Sequence, residues 1–178
     1  MKRILKVIGL GLMFSFTFFI IGIFMIWAIC RIQHMRIKES IFEQNARNLT
    51  YVIRSLEDEQ TVFLNNITSF EWDYLHLFGA YTSVEVKQER MRIDEQYLFS
   101  NSHDGVVYVY FLFENELVAR MLGHGENYSI IFNLKLNDEQ IPWLQAMVAT
   151  PDDELKFLVT VRYLHDGREI RELRLMSE

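Results

Sequence analysis

Histidine and aspartate stand side by side at two places in the chain, and such pairs could ligate a metal ion for hydrolysis. The pairs are His103-Asp104 and His165-Asp166, each followed by a glycine. Both lie between segments with the composition of strands. Because Asp and Gly are the residues that tight turns require, turn formation is the better interpretation of both pairs.

Other histidines and the serines offer no complete catalytic or metal-binding set. His124 and Glu126 supply two ligand types, but no third and fourth ligand follows at a recognised metal spacing. His76 lies among aromatic residues, which is typical of a buried histidine. No serine has the flanking glycines of a nucleophile elbow, and no glycine-rich phosphate loop occurs. The sequence therefore predicts no catalytic residue, no metal and no cofactor, and we do not expect an enzyme.

The most informative soluble stretch runs from Thr68 to Ser83. Its first part alternates with the two-residue period of a strand, and one face of that strand is largely aromatic. The face consists of Phe70, Trp72, Tyr74, His76 and Phe78. Gly79 ends the strand. Thr82 and Glu85 have capping-box spacing, which predicts a short helix from about Ser83 to Ile93.

Within this stretch, the run Phe70-x-Trp72-Asp73-x-x-x-x-Phe78-Gly79-x-Tyr81-Thr82 resembles a motif of small, mostly uncharacterised bacterial lipoproteins and membrane-anchored envelope proteins. In that family a W-D followed by F-G-P-Y opens an extracytoplasmic α+β domain. This chain has Ala80 in place of the proline and lacks the lipid-attachment site. The resemblance implies an envelope location and an α+β fold, but no activity.

The same resemblance singles out Trp72, Asp73 and Tyr81 as partner-binding positions. A packing role is the preferred interpretation for each of them, and a binding role is the alternative. Trp72 would then fill the core, Asp73 would hydrogen-bond a nearby turn or indole, and Tyr81 would cover packed residues.

The chain begins with an apolar segment, Val7 to Ile29, which has 23 residues and no charge. At ~1.5 Å per residue, a helix of this length spans a hydrocarbon core of roughly 30 Å, so we predict a transmembrane helix that contacts the lipid bilayer. A cleaved signal peptide would have a shorter apolar region and small residues before the cleavage site. A lipoprotein with Cys30 as the lipidated residue is the remaining alternative, although Ile29 is larger than the residue such signals prefer.

Three cations flank this segment on each side, so the positive-inside rule gives no clear orientation. They are Lys2, Arg3 and Lys6 before it and Arg31, Arg36 and Lys38 after it. A short basic head before a large carboxyl-terminal domain is the usual arrangement of an uncleaved export signal. We therefore expect a single-pass protein of the bacterial inner membrane, with its amino terminus in the cytoplasm and its domain outside; the reverse orientation stays open.

The part after residue 30 is acidic. It contains 15 Lys and Arg against 24 Asp and Glu, a difference of −9. Nucleic acid would be repelled by this charge, whereas a basic protein would be attracted. The acidity also fits a solvated surface without a partner. We infer no small-molecule substrate.

Residues Ile32 to about Asn65 have the pattern of a long amphipathic helix. Phe42, Ala46, Leu49, Ile53 and Leu56 repeat at spacings of four and three. This apolar stripe has to be buried. Packing on the sheet of the same chain is the preferred interpretation, and a two-helix stalk with a second copy is the alternative.

The rest of the chain reads as strands with one helical segment, Asp138 to Val148. The predicted strands are Val106–Phe113, Leu117–Leu122, Tyr128–Leu136, Leu155–Leu164 and Glu169–Met176. We therefore predict an α+β fold, with a mainly antiparallel sheet of five to six strands and helices on one face. The expected organisation is a cytoplasmic head and transmembrane anchor (1–30), a juxtamembrane helix (31–66) and an extracytoplasmic α+β domain (67–178).

Two functions of different classes fit these features. The first is a binding module in which the acidic domain captures a protein, for example an immunity protein that neutralises a basic toxin in the periplasm. The second is a sensor or assembly component of a membrane complex, acting through its transmembrane and stalk helices.

Overall fold

The computed structural model of the chain describes residues 2–99, 106–123, 130–133 and 147–176, and of residues 2–18, 35 and 38–40 it describes the backbone alone. Two compact units are present, Met1–Ser40 and Ile41–Glu178. The fold is α+β with mainly antiparallel strand pairing, as predicted.

The described strands form two four-stranded sheets. The first sheet has the order β1-β7-β8-β5, and the second has the order β4-β3-β2-β6. Neighbouring strands are antiparallel except β5 and β8, which are parallel. The strands are β1 (Thr61–Phe63), β2 (Tyr74–Phe78), β3 (Tyr108–Phe113), β4 (Glu116–Leu122), β5 (Ile130–Asn133), β6 (Met147–Ala149), β7 (Lys156–Tyr163) and β8 (Glu169–Leu175).

The described helices are α1 (Lys2–Arg54), α2 (Leu64–Ile67) and α3 (Val84–Met91), with 3₁₀ turns at Glu95–Tyr97 and Pro151–Asp153. The N-cap of α3 is Ser83, whose side chain accepts a hydrogen bond from the Val86 N–H, so the predicted helix begins one residue later than the Thr82 cap implied. No helix in the described part of the chain combines the length and the apolar character that crossing a membrane requires. The predicted span Val7–Ile29 falls partly on residues 1–18, whose side chains lie outside the described residues.

The apolar stripe of α1 is buried, which confirms that it packs on the same chain. Leu49, Ile53 and Leu56 join a core that both sheets share. However, α1 ends at Arg54, and the prediction that it continues to Asn65 was wrong. The acidic residues beyond it bond the edge of the first sheet, since Asp58 accepts a hydrogen bond from the Val161 N–H at 2.7 Å.

The second sheet is buried on both faces, so two clusters form on opposite sides of it. Its Leu75, Leu77 and Phe111 side chains belong to the core shared with the first sheet. Tyr108 and Tyr110 belong to a separate cluster with residues of α3 and the segment after it. Burial on both faces explains why β3 is an almost continuous apolar run.

Three further predictions about the sheet were wrong. Instead of one sheet of five to six strands, the described residues form two sheets of four. The strand expected from Phe70 begins at Tyr74, and Phe70 and Trp72 pack on Phe111, on the opposite face from Tyr74 and His76. The end of the helix expected at Asp138–Val148 is strand β6, because Met147–Ala149 pairs with β2. Residues 138–146 of that prediction lie outside the described residues.

Candidate functional site

Trp72 is buried, and it contacts β3 and the residue that follows α2. Its side chain is 7% exposed, and its ring meets Phe111 edge-on with 5.6 Å between centroids. The indole Nε1 donates a hydrogen bond to the Thr68 hydroxyl at 3.3 Å, one residue beyond α2. Because the indole is buried and hydrogen-bonded, its position is fixed, and it forms one rigid side of any adjacent depression.

Such a depression lies beside Trp72, and we call it the Trp72 groove. It is open to solvent and has a volume of about 410 Å³. Three separate segments meet there, and the Asn65 side chain joins two of them by donating a hydrogen bond to the Pro151 carbonyl at 2.7 Å. The lining residues are Asn65, Thr68, Phe70, Glu71, Trp72, Phe113 and Pro151.

The lining combines aromatic rings with a carboxylate. Phe70 and Phe113 are half-buried, so parts of their rings remain accessible, and Glu71 is exposed. Among the residues that the structure describes, the lining contains neither Lys nor Arg. Two further exposed acids, Glu114 and Asp152, directly follow lining residues in the sequence. The groove therefore presents both aromatic and polar surface, with one carboxylate, that of Glu71, in its lining.

Asp73 lies next to the groove in sequence and binds the hairpin that contributes Phe113. Its carboxylate accepts a hydrogen bond from the Glu114 N–H at 2.7 Å, and its own N–H donates to the Leu112 carbonyl at 2.7 Å. Asp73 thus positions Phe113 relative to Trp72.

Tyr81 is separated from the other two predicted partner-binding residues. Trp72 and Asp73 precede the first residue of β2, whereas Tyr81 comes three residues after its last, Phe78. A five-residue strand is roughly 13–17 Å long, so the two ends of β2 are on different parts of the surface. Tyr81 is 62% exposed. The structure therefore brings Trp72 and Asp73 together but not Tyr81.

Among the histidines, His76 of β2 is buried on the face of the second sheet that carries the cluster of Tyr108 and Tyr110. Its ring stacks on Phe78 at 6.0 Å and 11°, and burial, followed by the charge of Arg90, lowers its pKa below the usual 6.5. Its Nδ1 has no hydrogen-bond partner among the described residues. A neutral, buried imidazole here is typical of a core position.

The His165-Asp166 pair forms a turn. Asp166 accepts hydrogen bonds from the backbone N–H of Arg168 at 3.0 Å and from its Nε at 2.6 Å, and these bonds lower the Asp166 pKa. The His103-Asp104 and His124/Glu126 positions lie outside the described residues. Across the described ranges, no three His, Cys, Asp or Glu side chains are grouped so that they could hold a metal ion.

Sequence reasoning missed the other lining residues, namely Asn65, Thr68, Phe113 and Pro151. They come from three segments that are far apart in the sequence, and no local pattern indicates that these segments meet. The strand predicted over Val106–Phe113 contains one of these residues, Phe113, but nothing in the sequence related that strand to Trp72.

The groove is suited to non-covalent recognition, because it offers aromatic surface and a carboxylate in an open setting. Comparisons of the chain with protein-family models, with curated proteins and with solved structures found no match.

Proposed function

We propose that this protein is a single-pass, membrane-anchored envelope protein whose acidic extracytoplasmic domain binds a protein partner. The anchor is supported by the exposure of α1 between Phe19 and Ile29. Nine large apolar side chains in this stretch are 41–66% exposed. Because successive helical residues differ by about 100° in direction, consecutive apolar residues cover every side of the helix. Such a surface is suited to lipid as its solvent, which supports the proposed anchor.

The end of the proposed anchor has the chemistry of a membrane interface. The Arg31 guanidinium lies over the Trp27 ring, 5.3 Å from its centroid. Tryptophan is enriched at the boundary between hydrocarbon and water, and long cationic side chains near helix ends reach the headgroups. The bacterial inner membrane, with the amino terminus in the cytoplasm, is the proposed location.

Partner binding is supported chiefly by the Trp72 groove. Accessible aromatic rings are enriched where proteins bind one another. The part of the chain after residue 30 has 24 acidic and 15 basic residues, a charge of −9, which would speed association with a basic protein. An immunity protein that neutralises a basic periplasmic toxin is the specific form of this proposal.

The alternative, a sensor or assembly component of a membrane complex that acts through its transmembrane and stalk helices, is less well supported. Leu49 and Ile53 of α1, and Leu56 just after it, are buried in the core of their own unit. The apolar stripe that would pair two stalk helices is therefore already covered in this chain. The binding module remains the better proposal.

Thiol labelling of intact cells tests the anchor and its orientation. Cys30 is the single cysteine, so Cys30→Ser with Tyr163→Cys places one thiol on an exposed position of β7. A membrane-impermeant maleimide should label this variant in spheroplasts, and the protein should sediment with membranes. Labelling that requires lysis would overturn the orientation, and recovery of the unclipped chain without detergent would overturn the anchor.

Photo-crosslinking in living cells tests partner binding. A photoreactive amino acid at position 71 should give a discrete adduct with one protein. The matched control is position 89, an exposed glutamate on α3, which should give none. Absence of an adduct from position 71, and equally from position 114, contradicts binding at the groove.

A further inference from the structure

We infer that the Trp72 groove binds an arginine side chain presented by the partner. This inference rests on the proposed function, because it specifies what the groove would recognise. It follows from the size of the groove, the chemistry of its lining and the way this chain already binds one of its own arginines.

The volume of the groove limits what can enter it. About 410 Å³ is near the lower end of the range for small-ligand pockets, which is ~300–1,000 Å³. A long side chain with its adjoining backbone fits such a space, whereas the face of a folded domain does not. The occupant is therefore a protruding residue.

The residues that line the groove favour a planar cation as its occupant. Guanidinium groups stack on aromatic rings, here those of Phe70 and Phe113, and pair with carboxylates through two parallel hydrogen bonds. Glu71 is the carboxylate among the described lining residues, and none of these residues carries a positive charge. An apolar occupant would not pair with the Glu71 carboxylate.

Arginine is favoured over lysine because a guanidinium is less strongly hydrated than an ammonium and stacks with its whole plane. The same chain contains such a site: Arg120 lies 4.9 Å from the Phe42 ring centroid and 5.0 Å from that of Phe99. Its Nη1 donates a hydrogen bond to the Tyr97 carbonyl at 2.8 Å. The Trp72 groove likewise offers two phenylalanine rings, with the Glu71 carboxylate in place of a backbone carbonyl as the oxygen acceptor, and its described lining residues include no arginine.

Binding of short labelled peptides to the full chain in detergent micelles tests the inference. Three peptides with identical glycine flanks would contain three arginines, three lysines or three citrullines. By fluorescence anisotropy at physiological salt, we expect the arginine peptide to bind about threefold to fivefold tighter than the lysine peptide. The citrulline peptide, which keeps the shape without the charge, should not bind.

Two variants locate the binding. Glu71→Gln should weaken the arginine peptide about threefold to fivefold, as expected for one partly exposed ion pair. Glu89→Gln makes the same charge change on α3 and should have no effect. Phe113→Leu should reduce the preference for arginine over lysine, with thermal unfolding confirming that each variant is folded.

Equal losses in Glu71→Gln and Glu89→Gln would overturn the inference, since general charge attraction would then explain binding. Equal affinity for the arginine and lysine peptides would overturn it as well. If either result occurs while position 71 still crosslinks to a protein, the inference fails and the proposed function stands. If the arginine peptide binds as expected but no protein crosslinks, the proposed function fails.

Discussion

The carboxylate of Asp73 accepts a hydrogen bond from the backbone N–H of Glu114 at 2.7 Å, and this bond connects the start of β2 to the β3–β4 turn. Both residues of that turn, Glu114 and Asn115, have positive φ angles, of 51° and 62°. Two-residue hairpin turns with positive φ match the twist of the strands they join. Asp73 therefore holds a turn whose geometry already favours the hairpin.

Replacement of Asp73 by alanine should lower the free energy of unfolding by about 1–2 kcal/mol, because the Glu114 N–H loses a charged acceptor. Asp73→Asn should cost less, since it keeps an oxygen acceptor. Urea unfolding of the full chain in a mild detergent measures both. The control is Asp152→Ala at an exposed position, and a loss as large as that of Asp73→Ala would contradict a specific role for this bond.

Local patterns in the sequence were sufficient to predict much of this fold. The stripe from Phe42 to Leu56 follows from helical spacing, and both hairpins follow from their turn residues, with Gly167 at φ 81° in the second. These features depend on residues that are close together in the sequence, so they can be predicted from spacing alone.

Features that depend on distant segments could not be predicted. Alternation placed Trp72 on the face of His76, but Asp73 donates a hydrogen bond to Leu112 and accepts one from Glu114, and these bonds fix the chain so that Trp72 packs on Phe111 instead. Similarly, Met147–Ala149 is a strand because the edge of β2 is available to it. The sequence singled out Trp72 and Asp73, but the groove also needs residues of two distant loops.

Lys87 of α3 is 1% exposed, although its side chain is ionisable. Its Nζ donates a hydrogen bond to the Phe99 carbonyl at 3.0 Å and lies 3.6 Å from the Tyr108 ring centroid. Burial lowers the pKa of Lys87 to about 8 from its usual 10.5. Between these values the native chain has released a proton that the unfolded chain retains, so stability rises as the pH increases from about 8 to 10.5.

Replacement of Lys87 by methionine should remove that rise. From pH 7.5 to 9.5, the free energy of unfolding of the wild type should increase relative to Lys87→Met by about 1–2 kcal/mol. Urea unfolding at the two pH values measures the difference. Lys156→Met, at an exposed lysine of β7, should keep the wild-type response. If Lys87→Met also shows the wild-type rise in stability, the lowered pKa of Lys87 is not its cause.

His76 makes the stability of the fold sensitive to pH at the acidic end of the range. Burial, and to a smaller extent the charge of Arg90, lowers the pKa of His76 below 6.5. As the pH falls below 6.5, the unfolded chain takes up a proton that the native chain does not, so the native state loses stability until the pH reaches the lower, folded pKa. His76→Leu should reduce this acid sensitivity in urea unfolding between pH 7 and pH 5.

An NMR titration separates the two causes of the His76 shift. Arg90→Gln should raise the pKa of His76 only partly towards 6.5, because burial is the larger cause. Arg174→Gln, at an exposed position of β8, is the matched control and should leave the His76 pKa unchanged. A complete return to 6.5 in Arg90→Gln would show that charge, rather than burial, determines the shift.

Arg120 of β4 joins α1 to the segment after α3 by stacking between Phe42 and Phe99 and by bonding the Tyr97 carbonyl. Arg120→Lys keeps the charge but loses the planar stack and the fixed donor, so we expect the free energy of unfolding to fall by about 1–2 kcal/mol. Hydrogen exchange should also accelerate at the Tyr97 and Leu98 amides, which lie in the 3₁₀ turn beside it. Arg174→Lys is the matched control on the exposed part of β8. If both variants unfold at the same urea concentration as the wild type, stacking on the two rings does not stabilise the fold. Arg120 would then no longer support the inference that the Trp72 groove binds an arginine.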